Sequence, residues 1–378
     1  MKNKRIVIAG GSGFIGQALA KWFGKENAIT ILTRSIPSAR ITTDRNTDSN
    51  YPKSNRAHNS ASDGKSNGAN NRAKNGASNR ANNRAHNNRI NNSYNDNLLV
   101  PSDGYNISYR YWDGLRVESS WSSSIDGADI IINLAGKSVN CRYTEKNRQE
   151  IFDSRIDSTR AIGLAIRDAV TPPRLWINAS SATIYRHAED HAQDETTGEI
   201  ENDFSVQVCK KWEKTFEEQR APFTRKVAVR MAVTLGEGGV IVPYLRLLKF
   251  ALGGHQGSGR QMYSWLHIDD LCRAIEWIDE HDTIEGVYNL CSPNPVTNKT
   301  FMATLRKAAG HIIGLPAPAW MLTIGAALIG TEPELILKSR WVVPTRLLAT
   351  GFEFKFADPT VAINDIISRI PRKKYHLF

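Results

Sequence analysis

The sequence predicts an α/β fold: a doubly wound parallel sheet with a smaller C-terminal part. Three observations carry that expectation. Short β-branched, apolar runs alternate with helix-length amphipathic stretches as far as residue 235, the pattern of βαβ units with right-handed crossovers. The first of those runs passes straight into a glycine-spaced turn that opens a helix. Beyond Gly236 the texture changes to glycine-rich loops and short elements, dividing the chain into a sheet domain at 1–235 and a second part at 236–378.

Arg5-Ile6-Val7-Ile8-Ala9 reads as a buried first strand, because a strand covered on both faces needs a continuous apolar run. Gly10-Gly11-Ser12-Gly13-Phe14-Ile15-Gly16 follows, then an amphipathic helix at Phe14–Phe23 and a second strand at Ala28–Thr33. Glycines at 10, 13 and 16 let the backbone turn tightly, approach a pyrophosphate and pack the new helix on the strand. The helix N-terminus meanwhile offers free N–H groups to the anion. A dinucleotide site is expected at this turn. From 38 to 106 the composition changes: 17 Asn lie between Arg45 and Asn97, and Asn-Arg-Ala recurs at 55, 71, 79 and 83. So few large apolar residues cannot offset ordering entropy, so the stretch reads as a disordered, solvent-facing insertion.

Order is expected to resume near Ile107, with strands at Ser108–Asp113, Ala128–Gly136, Leu175–Ala179 and Lys226–Leu235. Helices are expected at Lys146–Arg167 and Val206–Gln219. In the second part, Trp265–Ile268 reads as an apolar strand, Asp269-Asp270 as the cap of a helix at Leu271–Ile278, and 286–292 as a strand returning to the sheet. Further helices are expected at Lys299–Gly310, Pro318–Leu328 and Pro359–Ile370, the middle one buried.

The net charge is +11, but the stretch Ile36–Ile107 carries +5 of it and the tail Arg369–Lys374 another four. The excess therefore sits outside the expected core, and no helix-turn-helix or RNA-binding pattern accompanies it. Specific nucleic-acid binding is not expected. Cys141, Cys209, Cys272 and Cys291 form no C-x-x-C pair, which points to neither a disulfide framework nor a metal site and fits a reducing cytoplasm. The apolar run Leu315–Gly330 is shorter than a bilayer span and is broken by Pro316 and Pro318, so no membrane partner is expected either.

Taken together, these pieces resemble the extended short-chain dehydrogenase/reductase superfamily, and within it an atypical epimerase-like group with a C-terminal extension of its own. The matching residues are the Gly10-to-Gly16 turn, Asn133-Leu134-Ala135-Gly136, Ser154-Arg155, Cys209-Lys210-Lys211-Trp212-Glu213, Gly257-Ser258-Gly259-Arg260-Gln261, Trp265-Leu266-His267-Ile268-Asp269-Asp270 and Val343–Phe354. The resemblance implies a Rossmann sheet binding NAD(P), a small-molecule substrate held in a cleft closed by the C-terminal part, and a homodimer. It also implies that Leu134 and Ala135 line the adenosine side through their backbone, that Gly136 beside them binds the cofactor, that Glu150 and Arg155 anchor it, and that Val233 contacts it from the last strand. Thr33-Arg34 stands where NAD-selective folds carry an acidic residue for the ribose hydroxyl. A cation there favours a 2′-phosphate, so NADP(H) is expected over NAD(H).

Short-chain reductases use a Tyr as acid/base, a Lys four residues later that lowers its pKa, and a Ser or Thr that holds the substrate oxygen. Ser181 fits the last role. Aligning on Glu213 puts Ser205 in the tyrosine's place and Cys209 in the lysine's, and neither can do that work. Tyr185 is the remaining phenol in reach, either an alternative proton donor or a packed residue of the cleft wall. Where related epimerases carry an arginine that grips a sugar nucleotide's diphosphate, Tyr263 stands, with Arg260 three residues earlier as a replacement from the loop. His267, inside an apolar strand, reads as a hydrogen-bonded core residue. The expected function is an NADP(H)-binding epimerase/dehydratase-like oxidoreductase acting on a small carbonyl, alcohol or sugar-type compound. The alternative is a non-catalytic NADP(H) sensor acting through a partner.

Overall fold

The computed structural model describes residues 1–36, 104–323 and 332–376. Its centre is one parallel sheet of seven strands: β1 (Arg5–Ala9), β2 (Ala28–Thr33), β3 (Ile107–Tyr111), β4 (Ile130–Asn133), β5 (Leu175–Ser181), β6 (Arg225–Met231) and β10 (Gly286–Leu290), with the short strands β7 (Val233–Leu235), β8 (Met262–Tyr263) and β9 (Trp265–His267) outside it. The order across the sheet is β10-β6-β5-β4-β1-β2-β3. The order reverses beside β1, the place where a doubly wound sheet opens a ligand crevice at its carboxyl edge.

Alternation along each strand builds two cores. Ile6 and Ile8 of β1 face a cluster with Leu19 and Phe23 of α1 (Phe14–Phe23) and Leu271 and Ile275 of α6 (Ile268–Glu280). Val7 and Ala9 face the opposite cluster, with Trp176, with Ile162 and Ile166 of α3 (Glu145–Arg167) and with Phe216 of α4 (Phe204–Glu217). Two of the helices on the sheet start where a side chain relieves their free N–H groups: Thr144 accepts from Asn147 ahead of α3, and Asp203 accepts from Val206 at the head of α4.

Four expectations are corrected. The run Lys226–Leu235 is two strands, because β10 pairs with β6 only as far as Leu290 against Met231. After Ala232, β7 (Val233–Leu235) leaves the sheet and pairs with β9 (Trp265–His267), where partners are free. His267 caps α6, its Nδ1 accepting from the backbone N–H of Asp269, so Asp269 and Asp270 lie inside the first turn and do not precede it. Residues 104–106, the end of the expected insertion, are tied into the sheet edge by Asn106, which donates to Gly24 and accepts from Ile29 through its backbone. The rest of that insertion lies outside the described residues. Lastly, the stretch expected as a buried helix at 318–328 is helical at 319–323, with Trp320 65% exposed, and its remainder lies outside the described residues.

The C-terminal part packs a third core, in which Phe301 and Leu305 of α7 (Asn298–Ala308) meet Ile363, Ile366 and Ile367 of the helix Pro359–Ser368. The segment 338–343 is threaded between two others: Ser264 and Met262 pair with Arg340 on one side, and Gln193 pairs with Trp341 and Val343 on the other. Among the described residues no helix is long and apolar enough to cross a membrane.

Candidate active site

The glycine turn is built by backbone. Gly10 sits at φ +76°, a conformation that glycine adopts without cost, and a Cβ there would lie 3.0 Å from the backbone of Ala135. A Cβ on Gly16 would lie 2.4 Å from Cα of Gly11, so that glycine brings the helix onto the turn. Gly13 caps the helix without a side-chain bond and a Cβ on it would meet only ordinary contact, leaving its N-terminal N–H groups open to an anion. Ser12 Oγ lies 3.3 Å from Thr33 Oγ1, tying the turn to the end of β2. Phe14 packs beneath the loop 236–239, and Ile15 packs against the sheet core. These features fit a dinucleotide pyrophosphate.

The other expected cofactor residues fall along the same carboxyl edge. Arg34 is exposed just past β2 and makes no hydrogen bond or ion pair among the described residues. Leu134 donates its N–H to Ala9, and Asn133 Oδ1 accepts from Ala135, which holds the post-β4 backbone against Gly10. Arg155 lies beneath Gly136, donating Nη1 to Lys137 O at 3.1 Å and to Ile151 O at 3.0 Å with its guanidinium over Trp212. It therefore bonds carbonyls and, among the described residues, forms no salt bridge. Glu150 is half-exposed and engaged by Lys137, which holds its carboxyl below the usual range. Val233, at the head of β7, packs against the C-terminal core and has left the seven-stranded sheet.

Ser181 ends β5, half-buried. Its Oγ donates to Thr183 Oγ1 at 3.0 Å and accepts from the N–H of Thr183, capping a short turn of helix. Tyr185 is buried. Its hydroxyl accepts from Arg230 Nη1 at 2.8 Å and donates to Asn289 Oδ1 at 3.0 Å, and burial pushes its pKa up to about 12. The phenol is thus a member of a buried hydrogen-bonded network. The network continues from Arg230 to Glu213, an ion pair at 2.7 Å, and from Glu213 to Ser180 Oγ at 2.5 Å. Sequence reasoning missed it, because its members come from β5, β6, α4 and β10.

Cys209 is buried, and burial pushes its thiol up to about 12, so it carries no charge in the lysine's place. Lys210 and Lys211 are exposed on α4. Arg260 is 81% exposed, with Glu189 3.8 Å away, while Tyr263, in β8 (Met262–Tyr263), is buried among Tyr244 and Phe301. Lys338 reaches the turn after β5 from the C-terminal part, donating to Asp203 at 2.5 Å and to Thr183 O at 3.4 Å, and Arg340 Nε donates to Thr183 Oγ1 at 3.3 Å. His267 is a fully buried core residue, stacked on Phe356 and 3.1 Å from Asp365. Asp269 and Asp365 are both bridged by Arg369, which already neutralises the cluster they form with His267.

The NAD dependent epimerase/dehydratase family model matches residues 6–291, the whole of the sheet and its carboxyl edge. The chain belongs to that family. A domain of unknown function, DUF1731, matches 317–366 and so contains Lys338 and Arg340. The chain is 32% identical over 263 residues to the epimerase family protein YfhF of Bacillus subtilis (strain 168), covering 70% of this chain and 85% of that one. It is 32% identical over 260 residues to the epimerase family protein SDR39U1 of Mus musculus, covering 66% and 87%. Among solved structures, human epimerase family protein SDR39U1 with NADPH superposes with a TM-score of 0.70 at 24% identity, covering 96% of this chain and 99% of that one. A UDP-N-acetylglucosamine 4-epimerase from Methanobrevibacter ruminantium M1 has a TM-score of 0.63 at 13% identity, covering 97% and 98%. The family protein is NAD(P)-dependent with a Rossmann fold.

Proposed function

We propose that this protein is an NADP(H)-dependent oxidoreductase or epimerase-like enzyme acting on a small carbonyl or alcohol compound. The observation that carries the reading is a shared edge. The glycine turn follows β1, Arg34 follows β2, Leu134-Ala135-Gly136 follows β4, and Ser181 ends β5, all at the carboxyl ends of parallel strands. The turn and the post-β4 backbone hold the dinucleotide, Arg155 supports the floor beneath Gly136, and exposed Arg34 meets the 2′-phosphate. The human relative solved with NADPH supports that choice. When bound, the nicotinamide supplies or accepts a hydride. Ser181 holds the substrate oxygen by turning its hydroxyl from Thr183 toward it. A second reading, a non-catalytic NADP(H) sensor, is favoured by Ser205 and Cys209 in the Tyr and Lys places and by the engaged phenol of Tyr185.

Thermal-shift titration separates the cofactors: NADPH stabilises the protein far more than NADH, and Arg34→Asp reverses the order, by roughly tenfold in affinity for a lost charged hydrogen bond. Equal shifts from both would contradict the cofactor choice. Screening carbonyl compounds for NADPH oxidation separates enzyme from sensor, and full activity in Ser181→Ala would remove the serine from the mechanism.

A further inference from the structure

One face of the C-terminal part carries cations without carboxylates. Residues 240–264, 293–323 and 366–376 hold ten Lys and Arg and no Asp or Glu, and no Asp, Glu, Lys or Arg stands between Lys307 and Glu332. The fold brings these three stretches together. Leu315 donates its N–H to Ala251 O at 2.8 Å and accepts from Gly254 N at 3.0 Å, so closely that a Cβ on Gly254 would lie 2.4 Å from the Leu315 backbone. Arg306 Nη1 donates to Gly253 O at 2.8 Å. The rings of His311 and His376 stack with centroids 4.4 Å apart, and their Nε2 atoms lie 2.8 Å from Tyr375 O and Ala309 O, which pins the tail to this face. On these segments large apolar side chains face solvent: Ile312 is 95% exposed, Phe250, Ile313 and Trp320 65% each, and Leu315 55%. Exposed cations stand beside them in the chain, Arg246 in the last turn of α5 (Ile241–Lys249), Lys307 in the last turn of α7, and Arg372, Lys373 and Lys374 just ahead of His376. Among the described residues none of these five makes an ion pair. A helix dipole accounts for a basic last turn, but not for the basic tail or for the missing carboxylates.

We propose that this face docks on an anionic lipid surface, with Ile312, Ile313 and Trp320 entering the headgroup boundary and the cations meeting lipid phosphates. An exposed apolar patch rimmed by polar groups marks a surface that something covers. Charge and shape choose the occupant. Cations with no carboxylate among them set up a field of one sign, which an anionic leaflet answers over a distance of about a Debye length. Ile312 projects just past the turn that Gly310 makes at φ +73°, a convex tip that fits between headgroups better than against a flat protein surface. Tryptophan and aliphatic side chains next to Lys and Arg are the composition of segments that lie in the membrane interface. A second copy of the chain is disfavoured as the occupant, because it would set the same cations against these. The proposal sets aside the sequence expectation of no membrane partner, which rested on span length; a surface that lies on a bilayer needs no spanning helix. It is independent of the cofactor and the chemistry proposed above.

The test is co-sedimentation of the full chain with vesicles of phosphatidylcholine alone and of phosphatidylcholine mixed with phosphatidylglycerol. Two variants are measured beside it, one lacking charge (Arg372→Gln, Lys373→Gln and Lys374→Gln together) and one lacking apolar surface (Ile312→Ser, Ile313→Ser and Trp320→Ser together). The expected result is saturable binding to the mixed vesicles, little to the neutral ones, and a loss of affinity of roughly tenfold or more in each variant. All six side chains are exposed, so both variants keep the wild-type melting temperature and its NADPH response, read on the same preparations. No binding to the mixed vesicles, equal binding to the neutral ones, or unchanged affinity in either variant would overturn the proposal. Unchanged affinity in both would put the attachment on charges elsewhere in the chain. A dimer in sedimentation velocity that the apolar variant abolishes, with no vesicle binding, would make the face a contact between copies and overturn it too. Absence of an NADPH response in the unaltered protein would overturn the cofactor reading alone.

Discussion

The two sides of the cleft are built in different ways. On the cofactor side, one contiguous turn does most of the work with backbone atoms, and its demands are steric: Gly10 and Gly16 each stand where a Cβ would press on backbone. At the end of β5 the groups are side chains, and next to Ser181 a buried polar network starts at Ser180 and runs through Glu213, Arg230 and Tyr185 to Asn289. A site made of backbone tolerates change everywhere except at its glycines. One made of a polar network fails as a unit, because each member left unpaired keeps its desolvation cost.

The sharpest way to break that contrast is Glu213→Leu, which leaves the Arg230 guanidinium buried without its partner. A loss of roughly 3–5 kcal/mol of unfolding free energy is expected in urea denaturation. A loss below about 1 kcal/mol would mean the network is ornamental. Gly16→Ala comes next, costing roughly 1–3 kcal/mol by overpacking against Gly11. Gly13→Ala sharpens the comparison: it leaves thermal stability near the wild type and weakens NADPH, since only the approach of the ligand is narrowed. Tyr185→Phe takes one acceptor from Arg230, leaves Asn289 Oδ1 without its donor, and is expected to cost about 1–3 kcal/mol while NADPH affinity stays unchanged. Unchanged stability with abolished turnover would restore the phenol as a proton donor.

The smallest effect is a pH dependence. Burial lowers the His267 pKa below its ordinary 6.5, against the opposing pull of Asp269 and Asp365 and with Arg369 adding to the decrease. The unfolded chain therefore takes up a proton at His267 before the folded one does, and stability falls as pH drops below about 6.5. His267→Asn keeps the cap on α6 and should flatten that part of the pH–stability curve, measured by thermal melts between pH 5 and 7.

The cofactor side was legible because its information is local. A buried strand, three glycines and an amphipathic helix are consecutive, and Arg34 sits one strand later. The seven-strand parallel sheet followed from the alternation of elements. What periodicity could not encode was partner choice at a distance. Nothing in Lys226–Leu235 says that Val233 leaves the sheet for β9, and only the end of the β10 pairing decides it. His267 looked like strand interior because the apolar run continues through it, whereas the turn to helix at Ile268 makes it a cap. Tyr185 and Asn289 are 104 positions apart, and Lys338 and Arg340 reach Thr183 from a segment with no motif of its own. The one local signal was negative: Ser205 and Cys209 lack the chemistry that the resemblance expects of their places.

A ligand-bound structure of the full chain with NADPH tests the central claim most directly. The account predicts the pyrophosphate against the N–H groups of Gly10 to Gly16, the 2′-phosphate on Arg34, and the nicotinamide facing Ser181. A cofactor whose phosphates lie away from that turn, or whose nicotinamide faces away from the end of β5, would contradict it.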